Sequence, residues 1–255
     1  MAGKVTISMA ETAASIDPAE IQRFSAMAED WWNPTGKFRP LHQLNPVRLA
    51  YIRERLARHF GRDAQALRVF DGLSVLDIGC GGGLIAEPMA RLGGAVTGID
   101  AAVRNVNIAA LHARQSGLEI DYRNVAAEDL AATGAQFDVV LALEIVEHVA
   151  DLDVFLDAAS RLVKPGGVLV VSTINRTPQA WLLAIVGAEY VLGWLPKGTH
   201  TWDKFVRPSE LAAGLRRNGM IVRDMAGIAY HPLGDRWAET RDLSVNYLAL
   251  ATRAG

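Results

Sequence analysis

Half of the 255 residues are hydrophobic, enough for the core of one α/β domain with additions. A net charge of −2 leaves no electrostatic footprint for nucleic acid as a bulk partner. The one cysteine, Cys80, excludes an internal disulfide and fits a reducing cytosol. Residues 1–16 are small and polar and are expected to be disordered. They contain no apolar h-region, and no run reaches about 18 uninterrupted apolar residues, so neither a secretory signal nor a transmembrane helix is expected. Asp17-Pro18-Ala19-Glu20 reads as a helix start, with Asp as N-cap and Pro in the first turn. Ile21, Phe24, Ala28 and Trp31 then recur at helical spacing. Residues 32–36 break that helix, and Asn45-Pro46 is expected to cap a second one carrying Arg48, Tyr51 and Ile52. Residues 17–60 are therefore expected to be N-terminal helices placed to close over a pocket, and residues 61–255 the main domain.

After a polar connector at 61–72, residues 75–83 read VLDIGCGGG: a short apolar strand, a glycine turn, then a helix over 84–92. Glycine leaves no Cβ between backbone and ligand, and a following helix start favours an anionic or electron-rich group. A second apolar run, 95–99, ends in Asp100, about 20 residues after Gly79, where an acidic residue typically holds a ribose. A dinucleotide fold wants G-x-G-x-x-G, but Leu84 stands where the third glycine belongs. The fit to D-x-G-x-G-x-G is complete instead, through Asp77, Gly79, Gly81 and Gly83. This resembles motif I of the class I S-adenosylmethionine (SAM) methyltransferases. Asp77 can accept from an ammonium or a hydroxyl, and Arg48 could meet the SAM carboxylate. Cys80 is read as an incidental loop thiol.

A helix over 102–116 stops at Gly117, and 120–124 is a third short strand. Glu128-Asp129 follows, where a carboxylate can meet the adenine amino group. Residues 137–143, FDVVLAL, read as a buried parallel strand. Pro165-Gly166-Gly167 is a turn before a fifth strand at 168–172. Strands alternating with helices imply a doubly wound α/β sheet with its ligand site off the carboxyl ends of the strands, where Asp77, Asp100 and Glu144 fall. Residues 175–207 interrupt that rhythm. The stretch 178–196 is almost wholly apolar, with Trp181, Tyr190 and Trp194 near its ends and Lys197 and Lys204 beyond it. Two readings stay open: a buried helix with a loop, or an interfacial segment on a bilayer. A helix over 208–218 and strands at 220–230 and 245–252, pairing as a hairpin-like edge, complete the chain.

Six stretches together resemble the ubiquinone biosynthesis O-methyltransferases, over residues 16–252: FSAMAEDWWNPTGKFRPLHQLNPVRLAYI, VLDIGCGGG, VTGID, ALEIVEHV, LVKPGGVLVVSTINR, and AIVGAEYVLGWLPKGTH with FVRPSEL. The glycine loop and EHV are shared by many SAM methyltransferases. The first and last stretches are specific. The resemblance implies a Rossmann-like, seven-stranded, mostly parallel sheet with helices on both faces. It implies SAM contacts from Arg48, Gly79, Asp100 and Leu143, the last at a position where methionine is also found. It implies methylation of a phenolic hydroxyl on polyprenylated catechols, namely 2-polyprenyl-6-hydroxyphenol and 3-demethylubiquinol. It favours the interfacial reading of 178–196, hence peripheral association with the inner face of the membrane, preferentially with anionic lipid, and other ubiquinone-biosynthesis proteins as partners. Methylation of another small hydrophobic phenol, or a non-catalytic SAM-binding membrane-associated protein, are the alternatives.

A phenol with a pKa near 10 is mostly protonated at neutral pH, so transfer to its oxygen needs a general base or a divalent cation. Glu144, Glu147 and His148 follow strand four at spacings that share one helix face if a helix begins at Glu144. Imidazole titrates near neutrality, which makes His148 the candidate base. The same three groups could instead hold Mg²⁺, although that ion prefers oxygen and water.

Overall fold

A computed structural model describes residues 15–182, 202–231 and 236–255. Its centre is an eight-stranded sheet in the order β3-β2-β1-β4-β5-β8-β6-β7. Strands β1 (Ser74–Ile78), β2 (Ala95–Ile99), β3 (Asp121–Arg123), β4 (Phe137–Leu143) and β5 (Val163–Ile174) pair in parallel. Their apolar runs follow from burial on both faces. Leu76, Ile78, Val140 and Ala142 face one core and Val75, Val139 and Leu141 the other. The expected turn at 165–167 lies inside β5, as an irregularity where the register with β4 slips.

Helices cover both faces. α2 (Arg39–His59) and α3 (Ala86–Arg91) pack through Tyr51, Ile52, Leu56 and Met89. α5 (Ala127–Ala132), α6 (Leu152–Arg161) and α8 (Pro208–Arg217) pack on the opposite face through Leu130, Phe155, Leu156, Leu211 and Leu215. α4 (Val103–Gln115) borders β3, and a one-turn α7 (Pro178–Ala180) follows β5.

Three boundaries differ from the sequence reading. α1 (Pro18–Ala26) has the expected Asp17 cap, which accepts from Ala19 N–H at 3.0 Å, but stops before Trp31; a 3₁₀ turn covers Ala28–Asp30. α2 begins before Asn45-Pro46, because Pro40 takes a first-turn position where its missing N–H costs nothing. Pro46 is carried inside the helix. At the other end, β8 (Asn246–Arg253) inserts antiparallel between β5 and β6 (Met220–His231). β6 also forms a hairpin with β7 (Arg236–Thr240), the strand beyond the expected seven. Most of the stretch expected to be disordered lies outside the described residues. Ser15 at its end is buried.

Candidate active site

The glycine loop leaves β1 across the carboxyl ends of the parallel strands. Gly79 N–H and Cys80 N–H both donate to Ile99 O, at 2.9 and 3.0 Å, which ties the loop to the end of β2. Asp100 completes the tie. Its carboxylate accepts from Gly81 N–H at 2.9 Å, Ala102 N–H at 2.8 Å and the Asn105 side chain at 3.2 Å. The loop glycines serve packing as well as any ligand. A Cβ on Gly82 would stand 2.4 Å from Trp31, and one on Gly81 2.5 Å. Trp31 is stacked on Phe38 and donates from Nε1 to Asn105 at 3.0 Å. The N-terminal helices are thereby clamped against the loop.

Below this clamp lies a cavity of about 670 Å³. All nine expected site residues line it: Arg48, Asp77, Gly79, Gly81, Asp100 and Leu143 on the cofactor side, and Glu144, Glu147 and His148 beside them. Glu128 lines it too, and its Oε1 accepts from Ser15 N–H at 3.0 Å. The wall continues through Ile228, Tyr230 and Trp237 of the β6–β7 hairpin.

Asp77 is buried, and its Oδ2 meets no partner among the described residues. Burial pushes its carboxyl up to about 7, the charge of Asp100 adds to this, and the Ala86 N–H opposes it. A buried acceptor without a donor, beside a cradle that a Cβ would fill, suits the ammonium of an amino-acid moiety such as that of SAM. Burial also raises Asp100, and it raises Cys80 strongly, so that thiol stays protonated and is no nucleophile.

The EXXEH stretch is not a helix. Glu144 has φ 52, the sole non-glycine positive φ among the described residues, and the chain turns there. Ser172 captures that turn: its backbone O accepts from Glu144 N–H at 3.0 Å, and its Oγ donates to the Glu144 carboxylate at 2.8 Å. His148 N–H closes a turn on Ile145 O at 2.9 Å. The three side chains consequently diverge. Glu144 pairs with the buried Arg48 at 2.7 Å. Glu147 accepts from Thr173 Oγ1 at 2.8 Å through one oxygen, while the other has no described partner. Burial pushes Glu147 up to about 7, helped by Glu144 and opposed by His148 and Thr173. His148 Nδ1 lies 3.0 Å from Glu20 Oε2 on α1. Each group is committed to a different partner, and no set of three possible metal ligands occurs among the described residues. The trio does not fit a Mg²⁺ site.

Glu20, Trp31, Asn105 and Ser172 complete the site. Trp31 and Ser172 fall within the family-like stretches and Glu20 in the expected helix start, but the sequence reading gives none of them a site role. A hint existed only in Gly82 and Gly98, where side chains of Trp31 and Tyr122 leave no room for a Cβ. Of the apolar stretch 178–196, residues 183–196 lie outside the described residues, as does Lys197. Trp181 and Leu182 at its start are exposed. Lys204 at its far side pairs with Asp17 at 2.7 Å and is not a free cation for lipid. No described helix is long and apolar enough to cross a membrane.

Comparison with known proteins agrees with this geometry. Residues 76–171 match the family model of a methyltransferase domain. Magnesium protoporphyrin IX methyltransferase from Synechocystis PCC 6803, solved with bound SAH, shares the fold at 20% identity and a TM-score of 0.58 over 90% of this chain and 99% of its own. A SAM-dependent methyltransferase from Clostridium acetobutylicum does so at 14% identity and a TM-score of 0.61, over 92% and 99%. The ubiquinone biosynthesis O-methyltransferase of Brucella anthropi is 58% identical over 246 residues, 96% of this chain and 99% of its own. That of Paramagnetospirillum magneticum is 59% identical over 236 residues, 92% and 94%. The chain belongs to the ubiquinone biosynthesis O-methyltransferases, SAM-dependent enzymes on a class I methyltransferase fold.

Proposed function

We propose that this enzyme methylates a phenolic hydroxyl of polyprenylated catechols, 2-polyprenyl-6-hydroxyphenol and 3-demethylubiquinol, at the inner face of the membrane. The observation that supports it best is one cavity lined by the Asp77 acceptor, by His148 and by an apolar wall from Ile228 to Trp237. SAM supplies a methyl group on a sulfonium, whose C–S electron pair stays with sulfur. On the cofactor side, Asp77 would take the ammonium, Asp100 the ribose hydroxyls and the Gly79–Gly81 backbone the amino-acid end. Arg48, already buried, would hold the carboxylate, with Glu144 balancing its charge. Leu143 would cover adenine, and Glu128 would meet its amino group.

On the substrate side, the phenol oxygen supplies the electron pair that forms the new bond, and its proton passes to His148. Glu147, near neutrality and next in the chain, offers a second proton acceptor. Positioning in line with the methyl supplies much of the remaining rate. Purified protein with labelled SAM and a short-tailed demethylubiquinol analogue tests the reading. Transfer is expected with and without EDTA, and His148→Ala is expected to lower kcat by roughly 10²–10⁴ with SAM affinity kept. Loss of activity in EDTA with recovery on Mg²⁺ would return the EXXEH residues to a metal role. Near-normal turnover of the variant over pH 6–9 would leave His148 as packing.

A further inference from the structure

We propose that Glu20 is a positioning residue for the base His148, brought to the active site by the N-terminal helix. The inference rests on His148 acting as base. It adds the group that makes it one.

No residue of α1 is fully buried, and its apolar packing is limited to partly buried side chains such as Phe24 against the Met27–Trp31 cluster. Its polar anchors go to the cavity rim. Ser15 O accepts from Ala150 N–H at 2.8 Å, Asp17 pairs with Lys204, and Glu20 Oε2 meets His148 Nδ1 at 3.0 Å. Glu20 itself lines the cavity. Phe24, one turn further along α1, sets its ring edge-on to the imidazole, with centroids 5.1 Å apart and planes at 85°. Two side chains at i and i+4 on one helix therefore fix both the position and the tilt of the ring.

A carboxylate at Nδ1 selects the tautomer that carries its proton there. The basic lone pair is then on Nε2. Among the described residues, charged groups facing the ring include Glu20 and Arg23 from α1 and Glu147 from its own turn, with Lys204 acting on Glu20. Arg23 competes, since its Nη2 lies 3.4 Å from the same Nδ1 and would donate to it. The carboxylate prevails because it is nearer, and because the Arg23 guanidinium is itself bound to Glu20. Burial pushes the Glu20 carboxyl up, but the His148 hydrogen bond and the charges of His148, Arg23 and Lys204 outweigh it and leave it below its ordinary value. Glu20 is then ionised at neutral pH, and it favours the imidazolium formed when the phenol proton arrives.

The test is Glu20→Gln, which keeps the shape and an acceptor oxygen but removes the charge, assayed with labelled SAM and the short-tailed analogue over pH 6–9. Expected are a kcat lower by about 10–100-fold and an unchanged KM for SAM. ¹⁵N NMR of the His148 ring should show Nδ1 protonated in the wild type and a tautomer mixture in the variant. Glu20→Gln added to His148→Ala should cost nothing more. Wild-type kcat and an unchanged ¹⁵N tautomer signature in Glu20→Gln, with His148→Ala still impaired, would overturn the positioning role and leave His148 as base. Near-normal turnover in His148→Ala would overturn both.

Discussion

At the scale of single residues, the site holds two buried carboxyls pushed to about 7, Asp77 and Glu147. A carboxyl whose folded-state pKa is raised binds its proton more tightly in the native state. Stability is therefore full while both states are protonated, and it falls as pH rises from about 4 through about 7. The ligand-free protein is expected to melt at a lower temperature at pH 8 than at pH 5. Asp77→Asn removes the cost of burying that charge, so it should flatten this slope and raise the ligand-free Tm at pH 8. The same change should weaken SAM binding by roughly 1.5–3 kcal/mol in calorimetry, the range for losing a hydrogen bond to a charged group. A variant with unaltered SAM affinity would show that Asp77 does not meet the ammonium. Glu144 is a different case. Its carboxylate is engaged by Arg48 and Ser172, which suits charge balance better than proton transfer.

At the scale of elements, the glycine loop and the N-terminal helices form one packed unit. Gly82 has an ordinary φ, so backbone strain does not require glycine there; the indole of Trp31 does. Gly82→Ala is expected to lower stability by about 1–3 kcal/mol through overpacking. It should also shift tryptophan emission and weaken SAM binding as Trp31 moves. In a double-mutant cycle Trp31→Ala should absorb part of that cost, because the two changes share one contact. Additive losses in thermal melts would place the strain elsewhere. Trp32 supports the same clamp from outside, donating to Gly82 O at 2.9 Å and stacking on His112.

At the scale of the whole molecule, the cavity is lined by residues of α1 and α2, of the β6–β7 hairpin and near α7. The apolar stretch at 178–196 begins with α7, whose Gln179 lines the cavity, and its residues 183–196 lie outside the described residues. Trp181 and Leu182, its last described residues, are exposed. For an interfacial segment, vesicle binding should favour anionic lipid and weaken as salt rises. The effect should be modest, because Lys204 is neutralised by Asp17. Replacing Leu182, Ile185 and Val186 with Ser should reduce vesicle binding and turnover on long-tailed quinols while sparing short-tailed analogues. Equal loss on both substrates with a lowered Tm would restore the buried-helix reading.

The sequence by itself determined seven of the eight strands, the D-x-G-x-G-x-G turn and the acidic end of β2, because each is a local matter of apolar period and backbone freedom. It also placed all nine expected residues around one cavity, since in a doubly wound sheet every strand end meets the same crevice. The tertiary structure alone decided what those residues do to one another. Spacing of i, i+3 and i+4 suits a helix or a turn alike, and Ser172, 28 positions away, settled it as a turn. Glu20 and His148 are 128 positions apart, so no local pattern could pair them. The edge strand β7 and the insertion of β8 between β5 and β6 were likewise invisible, because strand order depends on which neighbours bury each face, and a short polar run such as Arg236–Thr240 carries no period of its own.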